Sequence, residues 1–85
     1  MVEILSPNEY EFDDLQYELS LDLGRSLSDR TLRYWLKGIG IERNDLGFYD
    51  QEDLQILRLW LELKPQLKTI DRFKNYLRRT RNHAA

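Results

Sequence analysis

The sequence predicts a small, mainly α-helical domain of about four helices with one short β-hairpin. Three observations predict it. Helix-start signatures recur at Ser6, Ser28 and Asp50, apolar residues follow at helical spacing, and a glycine-rich stretch from Ile39 to Phe48 interrupts the periodicity. Eighty-five residues make one domain spanning 1–85 and exclude a two-domain enzyme. The 41% hydrophobic share can build a core, although a chain this short buries only roughly 60% of its unfolded surface.

Ser6-Pro7-Asn8-Glu9 has the form of a capping box, with Pro7 at a position where its missing N–H costs nothing, so a first helix should begin there or a turn later. Its far end is ambiguous: Leu19-Ser20-Leu21-Asp22-Leu23 alternates like a strand, and Gly24 is the expected stop. Ser28 caps a second helix, with Asp29 in the first turn; Leu32, Trp35, Leu36 and Ile39 face inward and Lys37-Gly38 closes it. Gly40, Asn44, Asp45 and Gly47 fit a two-stranded hairpin. Asp50 caps the strongest helix, which Pro65 should end, and Lys68 or Thr69 begins a last one with Ile70, Phe73, Tyr76 and Leu77 inside. The segments 1–11 and 80–85 read as an acidic arm and a frayed basic tail.

The net charge of −2 conceals four blocks: residues 1–24 carry −7, residues 25–43 carry +3, residues 44–63 carry −4, and residues 64–85 carry +6. Either the blocks pair with one another inside the domain, or a fold that joins the two basic blocks presents a basic face. No apolar run approaches the roughly 18 residues of a membrane span, and the acidic start does not read as a signal peptide.

The chain has no cysteine and one histidine, His83, near its end, which removes thiol chemistry and leaves no metal-ligand spacing. That composition suits a cytoplasmic protein. There is no phosphate-binding glycine loop and no nucleophile elbow. Asp13-Asp14 and Glu52-Asp53 are acid pairs at helix starts, where the helix dipole favours them without any catalytic role. We therefore expect neither an enzyme nor a cofactor. The informative segment is Ser28 to Ile41: a helix that opens on small polar residues and interleaves aromatics with Arg30, Arg33 and Lys37. Side chains at its N-terminus could reach base edges, while Arg30, Arg33, Tyr34 and Lys37 contact phosphates.

The same segment resembles a known family. Thr31-Leu32-Arg33-Tyr34-Trp35, then Gly38-Ile39-Gly40-Ile41, then Gly47-Phe48-Tyr49-Asp50-Gln51-Glu52-Asp53-Leu54 is similar to the DNA-binding head of MerR-type regulators. The match runs from about Leu27 to Leu77. It implies a small winged helix-turn-helix domain that places the Ser28–Lys37 helix in the major groove of double-stranded DNA. Asp29 and Arg30 would lie nearest the bases, Arg33 and Tyr34 would hold the backbone, and the Asn44–Phe48 wing would flank the groove. Specificity would then come from the first turn, Ser28 to Thr31, and affinity from Arg30, Arg33, Lys37, Arg43, Arg78, Arg79 and Arg81.

The chain departs from the family pattern in having no arginine just before Tyr49, in Ser26 at the usual turn glycine, and in lacking the family's long dimerisation helix and effector domain. No small-molecule effector is expected. The expected function is that of a small sequence-specific transcriptional regulator. The alternatives are an excisionase-like recombination directionality factor and a protein-interaction module that kept the scaffold and lost DNA binding. Spare apolar surface on the Asp50–Lys64 helix suggests self-association or a partner protein there.

Overall fold

Four helices follow one another in the computed structural model, which describes residues 9–84 and the side chains of residues 9–80: α1 (Phe12–Leu23), α2 (Asp29–Ile39), α3 (Gln51–Leu67) and α4 (Ile70–Ala84). α3 packs on α1 and on α4, and α4 also packs on α2. None of these helices is long and apolar enough to cross a membrane.

Ser6, Pro7 and Asn8 lie outside the described residues, and α1 opens beyond them at a different capping box. Glu11 accepts from the Asp14 N–H, and the Glu11 N–H donates to Asp14 Oδ2 at 3.0 Å. The expected acidic arm therefore includes two residues that are built into the fold. Glu11 caps α1, and Tyr10 exchanges backbone hydrogen bonds with Tyr49 at 2.8 Å in each direction. The alternating Leu19–Leu23 stretch is helical, because Leu15 and Leu19, four residues apart, both bury against the core. Gly24 ends α1 in the left-handed region at φ 75°.

Ser28 caps α2 as expected, its Oγ accepting from the Thr31 N–H at 3.2 Å. The helix does not close at Lys37-Gly38. It continues to Ile39 and stops at Gly40, which takes φ 93° and donates its N–H to the Leu36 carbonyl. Gly38 lies within the helix, where its position faces Ile70 of α4 too closely for a side chain.

The expected two-stranded hairpin between Ile39 and Phe48 is absent: no strand forms among the described residues. The Asn44 N–H donates to the Phe48 carbonyl at 2.8 Å, but the Phe48 N–H turns to the Asn44 side chain Oδ1, as does the Leu46 N–H, both at 3.0 Å. An asparagine side chain thus takes the bond that would have continued a ladder. The segment is a tight loop closed at Gly47, not a ribbon.

Asp50 caps α3 in a reciprocal box with Asp53, and Leu54, Leu57 and Trp60 turn into the core. Pro65 does not end α3. It removes only its own donor, and the last turn closes past it through the Lys68 N–H to the Lys64 carbonyl at 2.8 Å. The break comes at Lys68 (φ 73°, ψ −36°), where the Thr69 N–H reaches back to the Leu67 carbonyl in a γ-turn. Thr69 then caps α4, its Oγ1 accepting from the Arg72 N–H at 3.2 Å.

Trp60, 2% exposed, is the hub of the core. Its ring meets Trp35 edge-on at 6.3 Å and Phe73 at 5.3 Å, joining α2, α3 and α4 through aromatic contacts. Among the described residues the large apolar ones left exposed are Tyr17, Leu21, Tyr34, Leu46 and Tyr76, none of them on α3. The wide apolar arc that suggested a partner surface on the Asp50–Lys64 helix is instead half-covered by packing within the domain, with Ile56, Leu59, Leu61 and Leu63 against the core.

Candidate nucleic-acid interface

α2 follows α1 after a short turn that two α1 side chains tie down. Ser20 Oγ accepts from the Leu27 N–H at 2.9 Å, and Gln16 Nε2 donates both to the Leu27 carbonyl at 2.7 Å and to Asp29 Oδ1 at 2.6 Å. These bonds fix the start of α2 relative to α1, a geometry useful for any helix presented to a partner. They also commit the polar residues of the first turn. Ser28 Oγ donates to Thr31 Oγ1 at 2.9 Å while it caps the helix, and Asp29 has one oxygen held by Gln16. Arg30 is exposed.

One turn further on, Arg33, Tyr34 and Lys37 project outward, Tyr34 at 66% exposure. The Arg33 guanidinium lies over the Phe12 ring at 5.1 Å from its centre, and Arg43 lies over Tyr49 at 5.9 Å. Arg33, Lys37 and Arg43 line one open cleft of about 560 Å³ together with Phe12, Tyr49 and Gly40. The aromatic rings hold two of the three cations over apolar surface, where a charge is less well solvated than on a free side chain.

The other basic block does not join this cleft. Arg78 lines a separate one of about 500 Å³ with Lys74, Glu42, Glu52 and Asp53, while Arg79 is exposed on α4 and lines neither; the Arg81 side chain lies outside the described residues. Gly40, Ile41 and Glu42 line both clefts, so the chain just after α2 borders the two sets of cations. On the other flank, Glu11 and Asp13 share a shallow cleft with Arg43, bringing the acidic start of α1 beside the basic group.

Ion pairing nevertheless leaves the site cations without a carboxylate partner. Among the described residues the salt bridges are those of Arg58, which reaches Asp22 at 2.7 Å and Glu18 at 3.0 Å and so ties α3 to α1. The hydrogen bond to Asp22 is the main reason that the Arg58 guanidinium holds its proton more tightly than usual. Among the described residues the acidic and basic blocks thus do not pair with each other; Arg58, the one base of an acidic block, neutralises part of another. Asp53 has its carboxyl pushed upward, chiefly by burial and further by Asp50 and Glu52, with the hydrogen bond from the Asp50 N–H opposing.

Periodicity and charge identified Arg33, Lys37 and Arg43 but missed Phe12 and Tyr49, the rings beneath two of them. Their role depends on the return of the chain past α1, which the Tyr10–Tyr49 bridge fixes. No group of residues suited to holding a metal ion occurs among the described residues. Comparison with protein-family models, with curated proteins and with solved structures finds no match to the chain.

Proposed function

We propose that the chain binds double-stranded DNA sequence-specifically and acts as a small cytoplasmic transcriptional regulator, using α2 as a recognition helix and the Asn44–Phe48 loop as the wing of a winged helix-turn-helix. The observation that supports it best is the cleft shared by Arg33 and Lys37 of α2 and Arg43 of the loop after it, three cations with no carboxylate partner among the described residues. Three phosphate contacts supply affinity that falls steeply with salt. In this reading Arg30 and the first turn of α2 read base edges. The mechanism is docking, with no covalent step.

An electrophoretic shift with random duplex at low salt tests this reading. Binding by the protein, weakened by Arg33→Ala, supports it; no shift at any concentration defeats it. A second reading, a protein-interaction module on the same scaffold, is favoured by the acids Glu11 and Asp13 beside Arg43. If only Asp13→Asn shifts the duplex, those acids regulate access to the cleft; if neither protein shifts it, the second reading is preferred.

A further inference from the structure

We propose that Asp29 reads a cytosine, accepting a hydrogen bond from its N4 amino group in the major groove, and that Gln16 of α1 is the positioning residue that aims it. The inference rests on the DNA reading above and names the base that the first turn of α2 selects. Gln16 is half-buried on α1 and reaches across to the start of α2. Its Nε2 donates to the Leu27 carbonyl at 2.7 Å and to Asp29 Oδ1 at 2.6 Å, so both amide hydrogens are used. The shorter of the two bonds is made to a carboxylate, the stronger kind. Asp29 is exposed, and a free side chain there would sample several rotamers; the bond from another helix restricts where its second oxygen stands. Among the described residues, no other hydrogen bond and no salt bridge reaches that carboxylate.

The other side chains of the turn leave this role to Asp29. Ser28 Oγ and Thr31 Oγ1 are bonded to each other, and Ser28 Oγ also accepts from the Thr31 N–H. Arg30 is exposed and carries only donors. Asp29 is thus the one acceptor-only side chain from Ser28 to Thr31, with an oxygen to spare. Such a group suits cytosine, which shows a donor at N4 and no acceptor in the major groove. Adenine also shows a donor, at N6, but sets the N7 acceptor beside it, against the lone pairs of the carboxylate. Guanine and thymine show acceptors and no donor there. The charge of Asp29 also opposes phosphates, so it weakens binding wherever no base amine meets it and sharpens the choice of site.

Selection of binding sites from a randomised duplex library, followed by anisotropy on the enriched duplex, tests it. The wild type should enrich a site holding a cytosine whose replacement weakens binding about 5-fold or more. Asp29→Asn keeps an oxygen for Gln16, and so keeps the tie between α1 and α2, but turns the free atom from an acceptor into a donor. It should abandon that cytosine for guanine or thymine at the same position. Gln16→Met keeps the half-buried stem and removes the hold on Asp29. It should enrich the same site with the preference for cytosine relaxed and the salt dependence unchanged. If Asp29→Asn selects the wild-type site, the proposal is overturned while the DNA reading stands. A Gln16→Met variant that keeps the full preference, or that weakens binding to every sequence alike, overturns the positioning role. A wild type that binds no duplex, or all duplexes alike, overturns the proposal together with the sequence-specific reading on which it rests.

Discussion

Gly38 of α2 packs directly against Ile70 of α4: a Cβ at Gly38 would lie 2.9 Å from both Cδ1 and Cγ2 of Ile70. Gly38→Ala gains about 1 kcal/mol in helix propensity but overpacks this contact at a cost of about 1–3 kcal/mol. The expected result in urea denaturation is a net loss of about 1 kcal/mol. In an Ile70→Ala background the clash is gone, and the same substitution should become stabilising by about 1 kcal/mol. A loss of equal size in both backgrounds would disprove the contact as its cause.

Lys68 holds the α3–α4 junction at φ 73°. A side chain in that region costs about 1–2 kcal/mol, and glycine removes this at the expense of about 0.5–1 kcal/mol of added freedom in the unfolded chain. Lys68→Gly should therefore stabilise by about 0.5 kcal/mol and raise Tm by about 2–4 °C in a thermal scan.

Arg58 ties α3 to α1 through two half-exposed carboxylates. Arg58→Met keeps the aliphatic stem and removes the charge. Exposed pairs contribute about 0.2–1 kcal/mol each, so the loss should be about 1 kcal/mol at low salt. Repeating the denaturation at about 1 M salt should shrink the difference. A salt-independent loss would assign it to packing.

The Asp53 carboxyl, raised by burial and by Asp50 and Glu52, takes up a proton at higher pH in the folded chain than in the unfolded one. For such a group acidification through the raised value favours the fold, and its ionised form at neutral pH disfavours it. Asp53→Asn keeps an oxygen to accept from the Asp50 N–H and abolishes this titration. Relative to the variant, the wild type should gain stability between pH 7 and pH 4, read from urea midpoints at both. A constant difference would mean that Asp53 does not titrate in that range.

Much of the fold was legible because it is written locally. Gly24, Ser28 and Asp50 act through their own dihedrals or through an N–H three residues away, and each stands where the sequence placed it. What was not legible depends on a distant partner. The sequence points to Gly38 as the end of α2, whereas Gly38 lies inside the helix against Ile70 and the left-handed stop falls at Gly40. The hairpin gave way to a loop through one side-chain acceptor, Asn44 Oδ1, which competes with the backbone. The α2 cations were readable from charge and spacing. Their seating on Phe12 and Tyr49, and the placing of Arg78 in a different cleft, were not, because both follow from how the elements pack around α2.

The salt dependence of binding to a short random duplex, followed by fluorescence anisotropy, tests the role of the Arg33–Lys37–Arg43 cleft most directly. Each phosphate contact removed lowers the slope of log K against log salt by about 0.9, so Arg33→Ala, Lys37→Ala and Arg43→Ala together should lower it by about 2.7. Arg58→Met, whose cation is already paired with Asp22 and Glu18, should leave the slope unchanged. A triple variant that binds with the wild-type affinity and slope would contradict the assignment of this cleft to DNA.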